Sequence, residues 1–152
     1  GAKEVKFVLI GGSDHSLDKK GRMFIPSRFK GDFGESIVIC ACAFGKKCLW
    51  GFTEEGFEKF CDKLNKLPYG KMQDIYRFLS NSAVFAELDA SGRVLIPAEL
   101  RTFAGIENEA HIVGMRSNIE IWSPENWNEE KANFSLENFA PVIDDLGFSF
   151  GD

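Results

Sequence analysis

No run of about eighteen apolar residues occurs in the 152-residue chain, which excludes a conventional membrane-spanning helix. The first residues lack the apolar core and small-residue cleavage site of a secretory signal, so a cytosolic protein is expected. Cysteine is sparse and unpaired in pattern. Cys40, Cys42, Cys48 and Cys61 lack the C-x-x-C spacing of a zinc site. Cys40 and Cys42 share a face of a strand, and all four read as small apolar residues in a reducing compartment. Histidine is scarcer still. His15 has no histidine counterpart in the repeat described below, and His111 lies in an apolar stretch, as a packed or edge histidine would. No metal, no cofactor and no small-molecule substrate is expected.

Bases are in deficit, with 18 lysines and arginines against 23 acids and a net charge of -5. The deficit is local. Residues 125–152 hold Glu125, Glu129, Glu130, Glu137, Asp144, Asp145 and Asp152 against Lys131 alone. Residues 16–30 show the reverse: Lys19, Lys20, Arg22, Arg28 and Lys30 against Asp18. A basic patch of this kind attracts phosphates whatever the global sign.

What the chain does have is a stretch that occurs twice. SLDKKGRMFIPSRFK at 16–30 returns 71 residues later as ELDASGRVLIPAELR at 87–101. Leu17/Leu88, Asp18/Asp89, Gly21/Gly92, Arg22/Arg93, Ile25/Ile96 and Pro26/Pro97 are identical pairs. A repeat of this length signals one structural unit used twice. The charges do not repeat: the first copy carries +4 and the second, with Arg93 and Arg101 against Glu87, Asp89 and Glu99, carries -1.

Each half predicts the same succession of elements. A strand at 7–10, ended by Gly11 and Gly12, precedes a short strand at 13–17. A turn follows at 18–21, where Asp bonds backbone N–H groups and Gly supplies a positive φ. Residues 22–25 make a strand, Pro26 opens a short helix over 27–30, and strands follow at 37–42 and 48–52. Thr53 caps a helix whose Phe57, Phe60, Cys61 and Leu64 share one face, and a second helix starts near Gly70. In the second half, strands at 83–88 and 93–96, a helix at 97–104 and a hairpin of 110–114 with 118–122 lead to a helix capped by Ser123. The tail, interrupted by Pro141, reads as a weak helix or a mobile end.

The Asp-x-x-Gly-Arg turn admits three readings. Structurally, Asp18 and Asp89 hold the turns while Arg22 and Arg93 pair back to an acid within bonding reach. A catalytic reading lacks a second carboxylate or an adjacent nucleophile, and no catalytic residue is assigned. The third reading is phosphate contact, with the arginine as a fork and Lys19 and Lys20 as point charges on a hairpin tip that can approach a DNA groove.

The repeated Leu-Asp-x-x-Gly-Arg frame with its Ile-Pro, followed in the second half by Glu120-Ile-Trp122 and a capped helix bearing Trp127, resembles the bacterial MraZ family over nearly the whole chain. The resemblance implies an α+β fold similar to AbrB-type regulators. Two swapped-hairpin half-motifs would form a pseudo-twofold β-barrel flanked by helices. It divides one compact domain into a first half-motif with linking helices (7–80), a second half-motif (81–132) and an acidic tail (133–152). It implies a ring-forming homo-oligomer, cytoplasmic and nucleoid-associated, with no membrane partner. Such a protein binds double-stranded DNA at short direct repeats in its promoter and regulates the division and cell-wall gene cluster. By motif position, Lys20, Arg22 and Arg93 would contact DNA; by its place on the basic tip Lys19 joins them, with Arg28, Lys30 and Arg101 as second-rank phosphate contacts. Asp18, Gly21, Asp89 and Gly92 would shape the turns. The alternative is a ring-forming interaction scaffold that has kept the barrel, for which an exposed set of Trp50, Phe52 and Phe57 would argue.

Overall fold

The computed structural model describes residues 9–147. The first half forms β1 (Leu9–Ser16), β2 (Arg22–Phe24), α1 (Ser27–Phe33), β3 (Ser36–Ala41), β4 (Leu49–Phe52) and α2 (Glu54–Leu64), and α3 (Tyr69–Ser82) leads into the second. That half repeats the order as β5 (Val84–Glu87), β6 (Arg93–Leu95), α4 (Ala98–Ala104), β7 (Glu109–Arg116), β8 (Ile119–Trp122) and α5 (Pro124–Ala132), followed by α6 (Leu136–Asp145). The caps are the ones the sequence suggests. Thr53 Oγ1 accepts from Gly56 N at 2.9 Å, and Ser123 Oγ accepts from Asn126 N at 3.0 Å.

The result is α+β. Six strands form an antiparallel sheet in the order β1-β7-β8-β4-β3-β5, and β2 pairs with β6 as a separate two-stranded ribbon. Exchanging each strand for its repeat counterpart (β1 for β5, β3 for β7, β4 for β8) gives the same order read backwards. The first strand of each half pairs with the third strand of the other, β1 with β7 and β5 with β3. The halves are therefore interleaved rather than placed side by side. The expected closed barrel is not formed among the described residues: the sheet ends at β1 and β5, and the ribbon stays separate.

Strand β3 is buried on both faces, and its alternation divides two cores. Ile37, Ile39 and Ala41 pack with Met23, Val94, Phe29 and Leu100, under the ribbon and the short helices α1 and α4. Val38 and Cys40 pack with Trp50, Phe52, Leu64, Leu79 and Trp122, under α2 and α3. The ribbon is thus pinned from below by fully buried Met23 and Val94.

Two local expectations fail. Gly11 and Gly12 do not end a strand; β1 runs through them, paired without interruption from Leu9↔Arg116 to Ser16↔Glu109. Gly11 lies opposite Gly114, and a Cβ on Gly114 would fall 2.6 Å from the backbone of Leu9 and Ile10. Gly114 permits the close strand approach, while a Cβ on Gly11 would fall 2.9 Å from Arg28 Nε and one on Gly12 3.1 Å from His111 Nε2. Phe7 and Val8 of that expected strand lie outside the described residues, as does the end of the acidic tail. Nor does Pro141 break the tail: α6 runs through it, started by Ser135, whose Oγ accepts from Asn138 N at 3.2 Å.

Candidate nucleic-acid interface

Each Asp-x-x-Gly-Arg segment folds into a turn clamped by its own carboxylate. Asp18 Oδ1 accepts from the backbone N–H groups of Lys20 and Arg22, each at 2.9 Å, and Oδ2 accepts from Arg22 Nε at 2.7 Å. Asp89 repeats this with Ser91 N, Arg93 N and Arg93 Nε, all at 2.9 Å. Gly21 and Gly92 close the turns at φ +89° and +85°, a conformation that disfavours any side chain. The Arg22 N–H, then the Arg22 guanidinium and the Lys20 N–H, hold the Asp18 carboxyl down at about 2. Asp89 is lowered in the same way, first by the Arg93 N–H.

The two turns meet because the ribbon crosses the halves. Ile25 N donates to Gly92 O at 3.2 Å, and Ile96 N donates to Gly21 O at 2.9 Å. Arg93 Nη1 stands 3.6 Å from Asp18 Oδ2, linking one turn to the other. The crossing also exchanges cations. A Cβ on Gly92 would fall 2.5 Å from Lys30 Nζ, and one on Gly21 would fall 2.7 Å from Arg101 Nε. Each half therefore lays the base of its short helix over the other half's turn. The first tip has Lys19, Lys20, Arg22 and Arg101, and the second has Arg93 and Lys30. Charge counted along the chain misses this, although the nine-residue step from glycine to base, Gly21 to Lys30 and Gly92 to Arg101, is the same in both copies.

This repeat-on-repeat geometry agrees with the comparison to known families. The family described as "MraZ protein, putative antitoxin-like" matches residues 8–74 and again 79–146. The chain belongs to the MraZ family. The match is twofold, as the interleaved structure is, and each half contributes one Asp-x-x-Gly-Arg turn of the MraZ frame.

Within that frame the remaining expected residues fall in different places. Arg28 is turned to β1: its Nε reaches Ile10 O at 3.4 Å, its Nη2 reaches Ser13 Oγ at 3.3 Å, and its guanidinium lies 4.5 Å over the Phe29 ring. Arg101 Nε donates to Ile96 O at 2.9 Å, which fixes the guanidinium beside the first turn. Lys19 and Lys20 make no ion pair among the described residues. His111 is the packed histidine expected, with Nδ1 2.7 Å from Asp14 and its ring stacked on Trp127 at 4.5 Å. His15 lies 2.7 Å from Ser13 Oγ through Nε2. Trp50 and Phe52 are buried and Phe57 packs against them, so this aromatic set is not exposed. No helix among the described residues is long and apolar enough to cross a membrane.

Sequence reasoning missed Phe24 and Leu95. They read as ordinary apolar strand residues, yet both stand about half exposed on the outer face of the ribbon between the two arginines.

Proposed function

We propose that this protein is a transcriptional regulator that binds double-stranded DNA with the β2–β6 ribbon and its two turns. The observation that carries the reading is the gathering of Lys19, Lys20, Arg22, Lys30, Arg93 and Arg101 from both halves around one ribbon. The two carboxylates among them, Asp18 and Asp89, are already committed to shaping the turns. Lys19 and Lys20 serve as phosphate contacts at the first tip. Arg22 is held through Nε, and Arg93 through Nε with its Nη1 turned to Asp18; the other guanidinium N–H groups face phosphate or base edges. Lys30 and Arg101 add phosphate contacts, and Arg28 lies on the flank.

The interleaved pairing supports the swapped-hairpin relation to AbrB-type regulators. In keeping with its family, the chain is assigned to a ring of identical subunits that meets short direct repeats in the promoter of the division and cell-wall gene cluster. Contacts too weak singly add up there through effective concentration, which a negatively charged subunit tolerates. The reading needs no catalytic group and no cofactor, and it places the protein with the nucleoid.

The test is binding to a duplex selected from a random pool, measured by fluorescence anisotropy from 50 to 200 mM salt. Affinity should fall steeply with salt, and Lys20→Ala and Arg22→Ala should each weaken binding, with the slope of log K against log salt shallower by about 1 for the lysine. Binding that ignores both substitutions and salt would overturn the reading.

A further inference from the structure

The outer face of the ribbon is a small checkerboard. Period-two alternation sends Met23 and Val94 inward, at 0 % exposure, and leaves Arg22, Phe24, Arg93 and Leu95 outward. The register places Arg22 opposite Leu95 and Phe24 opposite Arg93. The apolar pair therefore occupies one diagonal and the cationic pair the other. Phe24 is 50 % exposed and Leu95 49 %. The Arg93 guanidinium lies 6.0 Å from the Phe24 ring centre, at the outer limit of a cation–π contact.

Single exposed apolar residues are ordinary. This pair differs in its rim, which is Lys19, Lys20, Lys30 and Arg101, while the carboxylates of the two turns, Asp18 and Asp89, are bound up in the turns themselves. Such a rim fits a polyanion and disfavours the apolar patch of a protein partner, whose own rim would have to be strongly acidic. Duplex DNA has one apolar group on its major-groove base edges, the 5-methyl of thymine, and that groove, about 12 Å wide, admits a two-stranded ribbon. We propose that Phe24 and Leu95 read thymine methyl groups in the major groove, while the surrounding cations hold the phosphates. The proposal rests on the DNA-binding reading and adds the residues that discriminate sequence.

The test uses the full chain, the duplex that the parent selects from a random pool, and a second set in which each thymine in turn is replaced by deoxyuridine. Removing one buried methyl should cost the parent about fourfold in affinity at one or more positions. Phe24→Ala and Leu95→Ala should lower the ratio of selected to random-sequence affinity by about tenfold or more, leave the salt slope unchanged, and abolish the deoxyuridine penalty. Thermal melting of each variant checks that the ribbon is intact, and Phe24→Leu, which keeps an apolar group, should retain part of the discrimination.

If parent binding is salt-dependent and weakened by Lys20→Ala but indifferent to deoxyuridine everywhere, the methyl-reading proposal fails and the DNA reading stands. An unchanged affinity ratio in both alanine variants has the same meaning. Loss of selected-duplex affinity without a deoxyuridine effect would mark the pair as a wedge between base steps and would equally overturn methyl reading. If the parent binds no duplex at all, both readings fall together.

Discussion

Asp18 bridges the two roles of the turn, because the same carboxylate that collects two backbone N–H groups also holds the arginine proposed to face DNA. Its lowered pKa makes this measurable. A carboxyl held at about 2 when folded, below its ordinary 3.8, contributes stability that is complete above the ordinary value and is lost as the pH falls through the folded one. The parent should therefore melt at progressively lower temperature between about pH 4 and pH 2. Asp18→Asn keeps an oxygen for the backbone N–H groups but loses the ion pair, so its melting temperature should change less over that window. An equally steep acid limb in the variant would remove Asp18 as its source. The turn glycines make a second residue-scale case. At φ +89° a side chain costs about 1–2 kcal/mol, so Gly21→Ala and Gly92→Ala should both lower stability in denaturant titration. The added methyl would also displace Arg101 or Lys30 from the opposite turn. Each variant should consequently weaken DNA binding more than its stability loss explains.

At the scale of elements, the least supported piece is α6. It has no buried residue, and Leu136, Val142 and Ile143 are exposed. It carries Pro141 in its interior, so the carbonyl of Glu137 has no amide four residues on to receive. A ten-residue helix is too short to be stable on propensity alone. Its amides should exchange with solvent much faster than those of β3, and Pro141→Ala should slow them, since proline in a helix interior costs up to about 3 kcal/mol relative to alanine. Unchanged exchange in the variant would show that α6 is held by something other than its own hydrogen bonds. The tail shows where sequence reasoning stops. The caps at Thr53 and Ser123 and the Asp–Arg turns were legible because both partners lie within four residues of each other. Pro141 suggested an interruption that α6 does not show, although the helix is one of the two forms expected of the tail and is the least supported of the elements. Gly11 and Gly12 misled because what crowds them, the Arg28 guanidinium and the His111 ring, comes from residues distant in the chain. Phe24 and Leu95 read only as apolar strand residues because nothing local says which face of a three-residue strand meets solvent.

For the whole molecule, the decisive property is that neither half owns its own sheet. β1, β2, β3 and β4 all find partners in the second half, and among the described residues β3–β4 is the one ladder the first half makes within itself. The repeat was legible in the sequence, but the crossing was not, and with it went the exchange of Lys30 and Arg101 between tips. A fragment ending at Ser82 should therefore show no cooperative unfolding as a monomer at low concentration. Because the two halves occupy equivalent places, a second copy of the fragment can supply what β5, β6 and β7 supply in the intact chain. The fragment should gain structure with concentration and sediment as a dimer. That dimer would carry two lysines at each tip from Lys19 and Lys20, where the intact chain has Ala90 and Ser91 at its second tip. Its DNA affinity should then depend on salt more steeply than that of one intact chain, with less sequence discrimination if Leu95 is half of the reading pair. A fragment that folds alone and melts independently of concentration would mean that the interleaving is not required for folding. The unequal halves would then need a different reason for sharing one ribbon.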